Sequence, residues 1–154
     1  MPSRTLSNEF TLAVPARTVF DHVADPHSYV GLSPLVIGVS DVVESREGFR
    51  FTAVERVPIV GSWTLDNPLR VTLLAELGAG GAFALHGEVD SPGAIHVWYR
   101  YDIFPQGDGC RVLDTVTLRT PFGLTRFAAS RTRNVQLARP GVLAQRLVGT
   151  GSGS

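Results

Sequence analysis

Two segments in the second half of the chain carry side chains that could transfer protons. Residues 95–104 alternate, so that Tyr99 and Tyr101 share one face with Ile95, Val97 and Ile103. In residues 110–119, Asp114 shares a face with Val112, Val116 and Leu118. We expect these apolar faces to point inward, where burial raises the pKa of a carboxyl group. Two phenols beside such a carboxyl group outline a general acid–base site.

The preceding segment, residues 82–89, leaves two arrangements open. Phe83 and Leu85 lie on one face of this segment, and His86 and Glu88 lie on the other. Hydrophobicity favours Phe83 and Leu85 as the inward pair, which would leave His86 and Glu88 in solvent. In the opposite arrangement, His86 and Glu88 would join the polar set, and the histidine could hydrogen-bond to Asp114.

The remaining reactive residues form no recognised site. The histidines at positions 22, 27, 86 and 96 lack metal-ligand spacing, even with Asp25 near the first of them. Cys110 is the only cysteine, which excludes an intrachain disulfide and a cluster of zinc-binding thiolates. The 14 basic residues are all arginines, so a Schiff base and a phosphate-loop lysine are excluded. The sequence GAGGAF is not a dinucleotide fingerprint, and we predict neither a metal nor a cofactor.

Composition indicates one soluble domain. The chain has 154 residues, of which 44% are hydrophobic, and its 14 acidic and 14 basic residues cancel. This balance argues against nucleic acid or an anionic membrane surface as a partner. Without an apolar segment of signal-peptide or membrane-spanning length, we expect a cytoplasmic protein that does not insert into membranes. Trp98 would be exposed, under arginine side chains or in a dimer contact, so a monomer and a homodimer remain open.

Turn residues and periodicity define the elements that must position these groups. A strand with Phe10, Leu12 and Val14 ends at Pro15, which begins a helix that ends at Asp25-Pro26. A second short helix is predicted over residues 27–32. Six more strands follow, with a bulge or an edge feature at Asn67-Pro68 and a turn at residues 91–93. They span residues 36–44, 49–57, 63–76, 82–89, 95–104 and 110–119.

A helical period replaces the alternation after Pro121. The apolar positions Leu124, Phe127, Ala128 and Val135 fall on one broad face. Residues 139–141, Arg-Pro-Gly, are predicted to interrupt this helix, because an interior proline removes a backbone hydrogen bond. A second helical piece would then cover residues 142–148. Residues 149–154, GTGSGS, are predicted to be a flexible tail outside a single domain of residues 1–148.

The opening segment, FTLAVPARTVFDHVADPHSYVGLSP at residues 10–34, carries a family resemblance. Its order of strand, proline-led helix, Asp-Pro break and short helix resembles the START/Bet v 1-like superfamily (SRPBCC). Within that superfamily, the chain resembles the polyketide cyclase/dehydrase and lipid transport branch over about residues 5–148. The resemblance implies an α+β helix-grip fold, in which a curved seven-stranded antiparallel sheet wraps a long C-terminal helix. Two short helices would lie between the first two strands.

The resemblance also implies a cavity between sheet and helix that takes a hydrophobic small molecule. Alignment with aromatase/cyclase relatives puts His86 on the cavity side, beside Tyr99, Tyr101 and Asp114 as candidate catalytic groups. The residues expected to contact the ligand are Phe20, Tyr29, Leu32, Phe51, Trp63, Val97, Val116, Leu124 and Phe127.

Three functions follow from this fold. In the first, the chain is a cyclase or dehydratase that folds a polyketide-like or aromatic carbonyl compound and guides ring closure by proton transfer. In the second, it is a non-catalytic carrier of a lipid or other small molecule. In the third, it is a partner-binding module of the same fold. Aromatases of the family line their cavities with several tryptophans and one or more arginines, whereas this chain has only Trp63 and Trp98 as tryptophans.

Overall fold

One antiparallel sheet forms most of the molecule. The computed structural model describes residues 2–32, 36–46, 48–77, 79–91 and 95–148. Within them, the seven strands are β1 (Ser3–Leu12), β2 (Val36–Glu44), β3 (Gly48–Val60), β4 (Trp63–Leu77), β5 (Phe83–Ser91), β6 (Ile95–Gln106) and β7 (Gly109–Arg119). Their order in the sheet is β1-β7-β6-β5-β4-β3-β2, so β2 to β7 form a meander and β1 pairs with β7 at its end. The predicted curved seven-stranded sheet is confirmed.

The helices lie where the sequence changes its period. Helix α1 (Ala16–Val23) follows Pro15 and buries Val19, Phe20 and Val23. A 3₁₀ turn (Pro26–Tyr29) comes next, and the Asp25 side chain accepts a hydrogen bond from the backbone N–H of His27 at its start. Helix α2 (Thr125–Leu143) runs near the C-terminus and continues into a π-helical turn (Ala144–Val148).

The two helices cover different parts of the sheet. Helix α1 packs against β5, β6 and β7, and α2 packs against β1 and β7. The largest fully buried apolar side chains include Leu73, Leu85, Ile103, Val112 and Leu143. No helix in the described part of the chain is both long and apolar enough to span a membrane. The predicted tail, residues 149–154, and residues 92 and 93 of the predicted turn lie outside the described residues.

The β3–β4 hairpin is longer and more regular than predicted. Asn67 and Pro68 pair with Glu55 and Val54 without a register shift, so no bulge occurs there. The pairing of β4 with β5 begins only at Arg70, so Pro68 has a neighbouring strand on one side among the described residues. A proline is tolerated at such an edge because one of its sides needs no N–H donor.

Helix α2 continues through Pro140, so the predicted interruption was wrong. A proline in a helix leaves the carbonyl group four residues earlier without its usual N–H donor, and here that carbonyl belongs to Gln136. The side chain of Asn8 on β1 donates from Nδ2 to this carbonyl oxygen at 3.1 Å. A residue from the far end of the chain therefore satisfies the group that the proline leaves unpaired.

Replacing Asn8 with alanine should lower the free energy of unfolding by about 1 kcal/mol, because the Gln136 carbonyl loses its donor. In a Pro140→Ala background, the new N–H can reach the same carbonyl, so the cost of Asn8→Ala should fall towards zero. Urea unfolding of the wild type, both single variants and the double variant measures this coupling. Equal costs in the two backgrounds would show that Asn8 does not compensate for the proline.

Candidate functional site

A cavity of about 290 Å³ lies between the sheet and α2. Its walls are mostly aliphatic, because the register aligns small side chains across neighbouring strands. Val71, Val89, Val97 and Leu118 form one such row, from β4 to β7. On the helix side, Ala128, Thr132 and Val135 complete the lining. Valine and alanine are too small to fill the space between a curved sheet and one helix, and the remaining volume is the cavity.

All three tyrosines of the chain line one end of this cavity, here called the inner end. Tyr29 extends from the 3₁₀ turn, and Tyr99 and Tyr101 extend from β6. The hydroxyl oxygens of Tyr29 and Tyr99 are 2.6 Å apart, so one of them donates a hydrogen bond to the other. The rings of Tyr99 and Tyr101 meet edge to face, with centroids 6.0 Å apart. Burial raises the pKa of all three phenols.

A glycine on the neighbouring strand makes room for Tyr99. Gly87 on β5 pairs with Tyr99 in the β5–β6 register, and the tyrosine ring lies over it. A Cβ atom built on Gly87 would be 2.1 Å from Cζ of Tyr99. The absence of a side chain at residue 87 therefore allows the Tyr99 hydroxyl to reach Tyr29.

These raised pKa values predict the outcome of an alkaline titration. Tyrosinate absorbance near 295 nm should not develop around pH 10, the usual phenol pKa, while the protein stays folded. Because the folded-state pKa values are raised, the stability that these phenols contribute is complete below about pH 10 and is lost as the pH rises through the folded values. The three phenols should therefore ionise together with alkaline unfolding, as followed by circular dichroism. A phenol that titrates near pH 10 in the folded protein would contradict this.

A buried ion pair lies behind Tyr101. Nη1 of Arg139 on α2 donates to Oδ2 of Asp114 on β7, and the guanidinium carbon is 5.3 Å from the centre of the Tyr101 ring. Both members of the pair are buried. Burial raises the pKa of Asp114, and the neighbouring Arg139 opposes that shift. Arg139 lines the cavity, whereas Asp114 lies behind it.

Gln136 fixes the helix beside this pair. Its Nε2 atom donates to the carbonyl oxygens of Leu6 at 3.1 Å and Asp114 at 3.2 Å. The amide therefore ties α2 to β1 and β7 one helical turn before Arg139. We conclude that the position of Arg139 is set by the helix and by strands β1 and β7 beneath it.

The turn that carries Tyr29 is held by the end of the described chain. Arg146 in the π-helical turn donates from Nη1 to the carbonyl oxygen of Ser28 at 2.7 Å. Its Nη2 donates to the carbonyl oxygen of Val30 at 2.6 Å. These two bonds lie on either side of Tyr29 and position its ring over the cavity.

Polar groups also lie at the other end of the cavity, here called the mouth. Arg131 on α2 bridges to Glu55 on β3, with Nη2 and Oε1 3.2 Å apart. The guanidinium carbon of Arg131 is 5.5 Å from the ring centre of Phe127, and Asn67 lines the same region. An ion pair therefore connects the helix to the sheet across the mouth.

Three of the four predicted catalytic residues lie on the inner face of the sheet. Tyr99 and Tyr101 line the cavity, and Asp114 is buried next to it. The placement of His86 in the cavity was wrong. The pairing of Leu85 with the inward Tyr101 puts Leu85 on the inner face, so the next residue must face outward. The His86 side chain is 37% exposed and lies 3.6 Å from Glu76, between Nδ1 and Oε1.

The predicted ligand contacts divide into three groups. Tyr29, Leu32, Val97, Val116 and Phe127 line the cavity. Phe20 and Phe51 do not, and each packs against another aromatic ring: Phe20 stacks on Phe83 with ring centroids 4.6 Å apart, and Phe51 meets Tyr29 edge to face with centroids 5.3 Å apart. Trp63 and Leu124 are exposed, and neither lines the cavity. Trp63 begins β4 at the tip of the hairpin, and Leu124 precedes α2.

Sequence reasoning missed Arg139 as a residue of the cavity. Gln136, Arg139 and Leu143 recur at spacings of three and four, which is the period of a buried helix face. An expected break at residues 139–141 concealed that pattern. Arg131 and Glu55 were missed because nothing local joins two residues so far apart in the chain.

One group of possible metal ligands lies outside the cavity. Glu88, Asp90 and His96 on the outer face each bring a ligand atom within 4.8 Å of the others. Both imidazole nitrogens already contact a carboxylate: Nε2 is 2.5 Å from Glu88 and Nδ1 is 2.8 Å from Asp90. The three residues thus satisfy one another, and none of them lines the cavity.

Comparison with solved protein structures shows which known folds this chain resembles. No protein-family model and no curated protein matches the chain. Among solved structures, a START superfamily protein from Mycobacterium smegmatis matches 95% of this chain and 98% of its own, at 12% identity and a TM-score of 0.74. The Zhui aromatase/cyclase from a Streptomyces species covers 98% and 94%, at 15% identity and a TM-score of 0.64.

A STAR-related lipid transfer protein from Xanthomonas axonopodis also matches. It covers 94% of this chain and 85% of its own, at 16% identity and a TM-score of 0.67. At such identities the matches establish the fold, and the predicted resemblance to the START/Bet v 1-like superfamily is confirmed at that level.

Proposed function

We propose that this chain, which has the helix-grip fold, binds a hydrophobic small molecule in the cavity between its sheet and α2. The observation that carries this proposal is the cavity itself, whose walls are mostly aliphatic. A concave apolar surface of this kind favours apolar ligands, because binding removes their surface from water. The described neighbours include a lipid transfer protein and an aromatase/cyclase, which supports the same class of ligand.

The volume limits the size of the ligand. A cavity of roughly 150 Å³ lined by aliphatic and aromatic side chains accommodates benzene. The cavity here, at about 290 Å³, is twice that size and lies at the lower limit of ordinary ligand pockets. We therefore propose a ligand of two or three fused rings, or an aliphatic molecule of similar volume, rather than a long lipid.

Ring closure or dehydration of a carbonyl compound is the second candidate function. Its support is the inner end, where the Tyr29–Tyr99 hydroxyl pair and Tyr101 could donate hydrogen bonds to a developing oxyanion. Such a reaction also needs a base. His86 faces away from the cavity, and Asp114 lies behind Arg139. The lining carboxylate, Glu55, is bonded to Arg131 at the mouth. Reversible binding therefore has better support than proton transfer.

A neutral fluorescent probe, 1-aminoanthracene, tests the site. Its fluorescence should rise on saturable binding at one site per chain. A Val97→Phe variant should abolish the increase, because the larger ring occupies the cavity. In the matched control Thr72→Phe, the same ring lies on the outer face of β4 and should leave binding unchanged. If a folded Val97→Phe variant bound the probe like the wild type, the cavity would not be the site.

Catalysis has a separate test. A two-ring ketone precursor that can close by aldol condensation should be bound without being converted, as followed by mass spectrometry. Conversion that is lost in both Asp114→Asn and Tyr101→Phe would instead support the cyclase. Residues 1–148 are proposed to form the single domain that carries either function.

A further inference from the structure

The inner end of the cavity offers hydrogen-bond donors that the protein does not use. In the Tyr29–Tyr99 pair, the hydroxyl that accepts a hydrogen bond keeps its own proton for another acceptor. The Tyr101 hydroxyl has no hydrogen-bond partner within the described chain. The Arg139 side chain lines the same end, and its Nε atom is buried without a partner among the described residues. A ligand group that accepts hydrogen bonds would therefore satisfy the two hydroxyl donors that are otherwise left unpaired.

The charge at this end is already balanced. Arg139 is positive, and Asp114 bonds directly to it as the compensating group. A ligand carboxylate would add a second negative charge to a buried neutral pair, and an uncompensated buried charge is costly. A neutral acceptor avoids that cost. A carbonyl oxygen is such an acceptor, and its two lone pairs match the two free hydroxyl donors.

Resting on the proposed function, we propose that the ligand is a neutral ketone of about two rings. Its carbonyl oxygen accepts hydrogen bonds from the Tyr29–Tyr99 pair and from Tyr101, and its rings lie along the aliphatic walls. The tyrosine hydroxyls then give a preference for ligands with a carbonyl oxygen. The aliphatic walls contribute the hydrophobic part of the affinity, which any apolar molecule of this size would gain.

Three probes of similar size separate these contributions: 1-tetralone, which has the carbonyl group; tetralin, which has none; and 1-naphthoate, which has a carboxylate. Isothermal titration with the full chain should show 1-tetralone binding about 10-fold more tightly than tetralin, the effect of one or two buried hydrogen bonds. The carboxylate should bind most weakly. In a Tyr29→Phe/Tyr99→Phe/Tyr101→Phe variant, 1-tetralone should bind no more tightly than tetralin, because its buried oxygen then lacks a donor, and tetralin should keep its wild-type affinity.

The control removes a hydroxyl pair elsewhere. Thr5 and Thr117 share a hydrogen bond of 3.0 Å at an exposed site, so Thr117→Val should leave the preference for 1-tetralone intact. Equal binding of 1-tetralone and tetralin to the wild type would overturn the ketone proposal and leave the proposed function standing. Tightest binding of 1-naphthoate would also overturn it, because the Arg139 charge would then select the ligand. Failure of all three probes and of 1-aminoanthracene would overturn both proposals.

Discussion

Replacing Arg139 with methionine is expected to lower the free energy of unfolding by about 3–5 kcal/mol at pH 7, as is typical when one member of a buried ion pair is removed. The variant leaves the Asp114 carboxylate without the guanidinium that compensates it, and Asp114 has no exposed surface. Methionine keeps most of the side-chain volume, so the loss of stability would come from the uncompensated charge of Asp114 rather than from altered packing. Urea unfolding followed by circular dichroism measures it.

This loss should depend on pH with a definite sign. Burial raises the pKa of Asp114 in the folded protein, and removing Arg139 takes away the group that opposes this shift. Below the unfolded pKa of about 3.9, Asp114 is protonated in both the folded and the unfolded state, so it does not lower the free energy of unfolding. As the pH rises through the folded pKa, the unfolded state ionises more readily and stability falls. The deficit of Arg139→Met should therefore be small near pH 4 and large at pH 7.

A double variant provides the control. When Asp114→Leu accompanies Arg139→Met, no buried charge remains, and most of the lost stability should return, because apolar replacement of a whole ion pair is often neutral. The pH dependence of the deficit should disappear with it. If the double variant were as unstable as Arg139→Met at both pH values, the loss would come from packing, and the ion pair would not be its cause.

The second large effect is expected from Gly87→Ala. The added methyl group would fall 2.1 Å from Cζ and 2.3 Å from the hydroxyl oxygen of Tyr99, so the ring must move. Overpacking of this kind costs about 1–3 kcal/mol or more. The shift would also break the 2.6 Å hydrogen bond to Tyr29. We expect a lower free energy of unfolding together with weaker binding of 1-tetralone.

Gly38→Ala is the matched control, since Gly38 also lies in a strand and a Cβ atom there would meet nothing within 4 Å. It should change neither stability nor ligand binding by a comparable amount. If Gly87→Ala were as harmless as Gly38→Ala, the ring of Tyr99 would not depend on the space above Gly87.

The parts that local pattern determines could be predicted from the sequence. The alternation in β6 correctly separates Tyr99 and Tyr101 from the outward Trp98, because a strand with one buried face must alternate. The same rule puts Asp114 on the inner face of β7. Pro15 and Asp25 delimit α1 for reasons confined to a few residues, which is why the opening of the chain was predicted well.

The errors arise where distant residues decide the outcome. Pro140 looked like a helix break because its partner, Asn8, is 128 residues from Gln136 in the chain. His86 was placed inward by family resemblance, whereas hydrophobicity alone correctly favoured Phe83 and Leu85. The register between β5 and β6 determines which face of β5 is buried, and resemblance to distant relatives was a poorer guide to it. Arg139 could not be assigned without knowing that Asp114 would lie opposite it.

The arrangement of the aromatic residues determines which intrinsic signal can report on this cavity. The three tyrosines line it, whereas Trp63 and Trp98 are 78% and 38% exposed and do not line it. Excitation near 295 nm, which selects tryptophan, would therefore monitor two exposed positions that do not line the cavity. A ligand screen that relies on tryptophan emission would show no change in fluorescence for a molecule that binds well. Ultraviolet difference spectra in the tyrosine band would detect the same molecule.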